Sequence, residues 1–170
     1  PNILLRKEAC QNTGVHIYDG ILSRIPFADN YFDVITCYDV LEHSMELKKN
    51  ISELKRVLKP NGILFIQAPN YNSVMARLTG NSWDWWCIPD HVLHFSYDFL
   101  CAYVRNNGFT LLKSYTYEYQ EDYLRNIKGI FSKNYLTKAV FYFLVPFFLI
   151  IEQIARVTHY CGLTVVVARK

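Results

Sequence analysis

The residues best suited to chemistry fall into two groups. Glu42 and His43 are adjacent, and Cys87, Asp90, His91 and His94 sit together in a later aromatic stretch. A neutral imidazole can take a proton from a substrate hydroxyl near neutral pH, so His43 and His91 are the candidate general bases. The competing reading of the first pair is structural, with Glu42 pairing at the following helix and His43 packed inside. The spacing Cys87-x3-His91-x2-His94 matches none of the usual tetrahedral zinc patterns, so no metal site is assigned. His94, with Trp83 and Trp86, is a candidate for contact with an apolar substrate. The tryptophans could instead be a lid over the core.

These residues need a scaffold, and the stretch from Asp33 to Asn70 supplies one. Phe32–Tyr38 and Gly62–Ala68 are apolar runs rich in β-branched residues, which is how strands covered on both faces are written. Between them Leu47, Ile51, Leu54 and Leu58 recur at helical spacing, with Ser44 as the expected N-cap and Glu46 in the first turn. Pro60 stops this helix and Asn61-Gly62 supplies the turn. The unit reads as βαβ, and Cys37 to His43 leave the carboxyl end of its first strand, where open α/β sheets bind ligands.

Before this unit, residues 1–14 suggest a helix end turning at Gly14, Val15–Tyr18 a short strand, and Pro26–Asn30 a turn. After it, residues 69–95 form an irregular aromatic insertion on the substrate side. Ser96 caps a helix that ends at Asn107-Gly108, and Phe109–Tyr119 and Leu163–Ala168 read as strands. Residues 139–151 are an unbroken apolar run within an apolar helix over 139–157. Thirteen residues are too few to span a bilayer, and Pro146 predicts a kink or two short pieces. The run is either a buried helix or a lip in peripheral contact with a membrane.

Composition narrows the class. The chain of 170 residues is 51% hydrophobic and 19% charged, which excludes disorder and suits one domain. A net charge of +3 without any Lys/Arg run gives no support to nucleic-acid binding. The five scattered cysteines, without a Cys-x-x-Cys, read as reduced thiols of a cytoplasmic protein.

Several pieces, taken in order, carry a resemblance: Pro26 to Ile35, Asp39-Val40-Leu41-Glu42-His43, Leu54 to Gly62, and Pro69-Asn70. Pro89-Asp90-His91, His94-Phe95-Ser96, Gly108-Phe109 and Ala168-Arg169-Lys170 continue it. Together they resemble the second half of a class I S-adenosylmethionine-dependent methyltransferase, closest to the small-molecule group that includes the ubiquinone-biosynthesis O-methyltransferases. The resemblance implies an α/β, Rossmann-like sheet of order 3-2-1-4-5-7-6, mostly parallel with an antiparallel strand near the C-terminal edge. Residues 1–170 would be a single partial domain of that kind, with the N-terminal βα units missing. It also implies S-adenosylmethionine as cofactor, with adenine at Asp19, Gly20 or Ile21 and the sulfonium and amino-acid end at Cys37, Tyr38 and Asp39. A divalent metal beside Glu42-His43 is compatible with the same resemblance.

The family opens with a glycine-rich turn, and this chain has no Gly-x-Gly; upstream of the βαβ unit it has only Gly14 and Gly20. As it stands it is expected to bind the cofactor poorly. The expected activity is methyl transfer to a small-molecule or lipid-linked acceptor at oxygen. The alternatives are a non-catalytic methyltransferase-like scaffold and a peripheral membrane-binding module.

Overall fold

In the computed structural model, residues 15–18, 20–119 and 135–170 are described; for 135–141 the description covers the backbone alone. Strand β1 (Phe32–Tyr38) is followed by a 3-10 turn at Leu41–His43, helix α1 (Leu47–Val57) and strand β2 (Leu58–Pro69). The short helix α2 (Val74–Thr79) and two further 3-10 turns (Gly80–Ser82 and Asp84–Trp86) lead to helix α3 (Tyr97–Asn106). Strand β3 (Thr110–Tyr117), helix α4 (Tyr135–Val157) and strand β4 (Leu163–Arg169) complete the order.

The four strands form one sheet in the order β1-β2-β4-β3. β1 runs parallel to β2, while β4 is antiparallel to both β2 and β3. Three strands therefore point the same way and only β4 opposes them, as the resemblance implies. Among the described residues β1 is an edge, with Val34 and Tyr38 exposed.

Helix α1 forms because Asn50, Ile51, Leu54 and Val57 recur on one buried face. Its start differs from the expectation at Ser44. The helix begins at Leu47, and the Ser44 hydroxyl instead accepts from the Glu46 amide at 3.1 Å and from Asn50 Nδ2 at 2.6 Å. Ser44 thus ties down the approach to the helix one step early, and the bond to Asn50 holds it there. At the other end the helix stops at Val57, and Leu58, already in β2, pairs with Phe32 of β1. The next pairing joins Val34 to Ile63, so Pro60 and Asn61 fall in an irregularity of the strand rather than before it. Gly62 is required there, since a Cβ would meet Leu58 Cδ1 at 2.8 Å and the Lys59 carbonyl at 2.9 Å.

Arg56 explains why the Pro26–Asn30 turn lies where it does. Its guanidinium donates to the carbonyls of Ile25 and Phe27 and pairs with Glu53 and Asp29, clamping the turn to α1. The expected strand over 15–18 is absent. Residues 15–18 lie outside any strand, with Tyr18 set edge-on to His16 and Phe27, and the nearest bridge joins Ile21 to Arg24. Four alternating residues define a face without defining a ladder partner, and tertiary context decides.

α3 follows its signals closely. The Ser96 hydroxyl accepts from the Phe99 amide at 3.2 Å, and Gly108 takes the positive φ of 80° after the last turn. Helix α4 is longer than its apolar run and continues through Pro146. Proline removes one N–H from the ladder, but Val145 and Phe148 on either side of it pack onto Met75, Ala76 and Trp83, and this contact holds the helix in one piece. Among the described residues no helix is long and apolar enough to cross a membrane. The main core joins Leu41, Ile51, Leu54, Leu64, Ile66, Phe95, Leu100, Val104 and Val166 between the sheet, α1 and α3.

Candidate active site

The carboxyl ends of β1 and β2 carry the candidate residues. The chain leaves β1 at Asp39 in a left-handed conformation, φ 49°, which an L-residue adopts only where its surroundings compensate. Here the Asp39 amide donates to the Gln67 carbonyl at 3.1 Å, and its carboxylate accepts from Gln67 Nε2 at 3.1 and 3.2 Å. The Leu41–His43 turn follows, with Leu41 in the main core.

Glu42 is 1% exposed, and neither of its carboxylate oxygens has a hydrogen-bond partner. Burial pushes its pKa up to about 7, with the Asp39 charge adding to the rise and the neighbouring His43 opposing it. The Glu42 carbonyl accepts from the amides of Val92 and Leu93, both at 2.9 Å, which brings the loop after β2 back over β1.

That loop delivers His91. His43 Nδ1 lies 2.8 Å from the Asp90 carbonyl, and His91 Nδ1 lies 2.8 Å from the Trp85 carbonyl. A carbonyl only accepts, so both imidazoles donate through Nδ1, and each neutral ring keeps its lone pair on Nε2. The rings meet edge to face at 4.8 Å, and Trp85 stacks on His91 at 6.5 Å. His43 is exposed, whereas His91 is 7% exposed. A Glu42 oxygen and one ring nitrogen from each histidine lie within 4.8 Å of one another, a set that could also hold a divalent cation.

His43 lines a cleft of about 340 Å³ with Ile21, Leu22, Ser23, Val40, Ser44, Met45, Glu46 and Asn50. The apolar Ile21, Leu22, Val40 and Met45 of the lining suit a nucleoside. Asp39, one residue before Val40 and not itself in the lining, holds a carboxylate at the strand exit that suits a cationic sulfur or ammonium. These residues fit S-adenosylmethionine.

The remaining candidates are distributed unevenly. Gly20 and Ile21 lie on the turn beside the cleft, Ile21 being exposed, while Asp19 lies outside the described residues. Tyr38 is exposed with its ring 4.7 Å from that of Phe65. Cys37 is 3% exposed within the main core, and burial first, then the Glu42 charge, pushes its thiol up to about 12. A contact of Cys37 with a ligand would therefore fall to its backbone. Trp83 is 2% exposed beneath the loop with Met75 and Ala76, the lid arrangement. Trp86 is half-buried, donates to the Gly80 carbonyl at 2.8 Å and meets His94 edge to face at 4.8 Å. The Pro69-Asn70 motif proves to be an anchor, as the fully buried Asn70 donates to the Cys161 carbonyl at 2.9 Å.

Two features escaped the sequence reading. One is the isolation of the Glu42 carboxylate. The other is a chain of side chains across the sheet end: Tyr117 Oη donates to Gln67 Oε1 at 2.6 Å, and Gln67 holds Asp39. A glutamine inside an otherwise apolar strand, and the alternating Tyr115, Tyr117 and Tyr119, were the available signals.

The profile of a family described as "Methyltransferase domain" matches residues 3–114. A "Probable S-adenosylmethionine-dependent methyltransferase" of Mycolicibacterium smegmatis is 36% identical over 56 residues, covering 33% of this chain and 22% of that protein. The ubiquinone biosynthesis O-methyltransferase of Pasteurella multocida is 45% identical over 42 residues, covering 25% of this chain and 17% of that protein. The matches thus span about a fifth of the length of these relatives. Among solved structures, a "possible histamine N-methyltransferase" from Thermotoga maritima superposes with a TM-score of 0.66 at 16% identity, covering 96% of this chain and 68% of that one. The [4+2]-cyclase SpnF superposes with a TM-score of 0.60 at 20% identity over 99% of this chain and 62% of that one. Likeness at such identities speaks for the fold, and the chemistry has to be argued from the site.

Proposed function

Because the chain belongs to the methyltransferase-domain family, we propose that it transfers a methyl group from S-adenosylmethionine to the oxygen of an apolar small-molecule or lipid-linked acceptor. The observation that carries the reading is His43 in the lining of a cleft, with Glu42 and His91 clustered behind it, at the carboxyl end of a parallel strand pair.

When bound, S-adenosylmethionine supplies an electrophilic methyl group. The chain's own residues do the rest. Ile21, Leu22 and Val40 hold the apolar part, and the Asp39 carboxylate, held by Gln67, draws the positive end to the strand exit. His43, exposed to the cleft with Nδ1 committed to Asp90, accepts the acceptor's hydroxyl proton on Nε2. His91 and the Glu42 carboxyl stand behind it, and the loop carrying Trp85 and Trp86 excludes water from this side.

Helix α4 supports an apolar or lipid-linked acceptor. Its inner face packs through Val145 and Phe148, and its outer face leaves Phe143, Phe147, Ile150, Ile154 and Val157 exposed. That spacing makes one continuous apolar stripe along the helix, which suits contact with a membrane surface. Incubation of the complete gene product with methyl-labelled S-adenosylmethionine and a membrane-lipid extract tests the proposal. Label is expected in the organic phase. Label confined to water-soluble products refutes the lipid part, and the absence of any transfer refutes the activity.

A further inference from the structure

We propose that Tyr117, on the far strand of the sheet, is a positioning residue for the cofactor's positive end, acting through Gln67 on Asp39; this rests on the methyltransferase reading of the cleft. β3 stands at the opposite edge of the sheet from β1, with β2 and β4 between them. The Tyr117 phenol nonetheless reaches Gln67 Oε1 at 2.6 Å, while Gln67 Nε2 reaches both Asp39 oxygens at 3.1 and 3.2 Å.

Gln67 is buried at 4% exposure, so both ends of its amide need partners. An amide can turn over and exchange its oxygen for its nitrogen with little change of shape. Only one orientation suits Asp39, because a carboxylate accepts and cannot donate. Asp39 thus sets the orientation, and Tyr117 secures it, its O–H meeting the Oε1 that faces away from Asp39. Tyr119 Oη lies 3.2 Å from Tyr117 Oη and can take part in the same chain. Asp39 itself sits at φ 49°, so its carboxylate is held from both backbone and side chain at the point where β1 ends. A charge fixed in advance attracts a cation without a further ordering cost, and this is what positioning contributes.

Replacing Tyr117 by Phe keeps the ring and leaves the buried Gln67 Oε1 without its donor. The amide then loses its anchor on the far side and holds the Asp39 carboxylate less firmly. The expected consequence depends on ligand charge. S-adenosylmethionine carries a sulfonium and S-adenosylhomocysteine a neutral sulfur, so a misplaced Asp39 carboxylate weakens the first more than the second.

The test is calorimetric titration of the complete gene product with each nucleoside, for wild type, Tyr117→Phe, Asp39→Asn and the double variant, alongside their melting temperatures. Tyr117→Phe should weaken S-adenosylmethionine binding by about fivefold, the scale of one hydrogen bond, and S-adenosylhomocysteine binding by less. In the Asp39→Asn background Tyr117→Phe should add nothing, because no carboxylate is left for Gln67 to hold in place. Equal weakening for both nucleosides, or the same loss in both backgrounds, would show a general structural role and overturn the inference. Unchanged binding overturns it too. A wild type that binds neither nucleoside overturns the methyltransferase reading, and this inference with it.

Discussion

His43, on the turn after β1, and His91, on the loop after β2, stand edge to face with ring centroids 4.8 Å apart. Each is oriented by a backbone carbonyl of the same loop system, Asp90 for His43 and Trp85 for His91. The arrangement presents one exposed imidazole to the cleft and keeps a second buried behind it.

If His43 is the base, its loss should reduce turnover rather than binding. His43→Ala is expected to lower kcat by about a hundredfold, the usual scale of general-base catalysis, with KM for S-adenosylmethionine nearly unchanged. A matching rise in KM without loss of kcat would move His43 to a binding role.

Glu42, His43 and His91 could alternatively be drawn together by a cation. The acid–base account expects turnover to survive extensive dialysis against a chelator. Loss of activity that returns with a divalent transition metal would transfer the three side chains to metal binding.

Two buried carboxyls predict a pH dependence of stability. Glu118 is pushed up to about 7, by burial first, and then by the Glu152 charge, while the Gly162 amide and Arg156 oppose the rise. An acid whose folded pKa lies above its unfolded value favours the fold while protonated, so its contribution is full below the unfolded pKa. That contribution is lost as pH rises from about 4.5 towards 7, for Glu118 and Glu42 alike. Chemical denaturation is expected to show stability falling over this interval, and Glu118→Gln to flatten the slope. A variant with the wild-type slope would contradict the assignment.

Glu118 also leaves little room for a side chain at Gly162. The Gly162 amide donates to Glu118 Oε2 at 2.8 Å, and a Cβ there would stand 2.5 Å from Glu118 Oε1. Gly162→Ala is expected to cost about 1–3 kcal/mol, measured as a lower denaturation midpoint.

Much of the framework was legible because it rests on local periodicity. The apolar strands around α1, the Ser96 cap and the Gly108 stop were readable from neighbouring residues, and the structure has them. The failures lie where distant partners decide. Ser44 is claimed by the Asn50 side chain, Val15–Tyr18 form no strand, and α4 passes through Pro146 on the strength of its packing. At the site, His43 and His91 were visible as residue types. Their meeting, the orphaned Glu42 carboxylate and the Tyr117–Gln67–Asp39 chain depend on sheet order and loop return, which no spacing encodes.

Membrane contact through α4 has its own test. Phe147→Glu and Ile150→Glu place charge on the exposed stripe, so both should abolish co-sedimentation with liposomes while the melting temperature holds. Wild-type protein that stays in the supernatant at low salt would remove this surface from the account.

The central claim is that the cleft bounded by Ile21, Val40 and His43 belongs to a methyltransferase cofactor site. Titration of the complete gene product with S-adenosylhomocysteine tests it most directly. The account predicts saturable heat at one site per chain, diminished by Asp39→Ala; a flat titration of folded protein would contradict it.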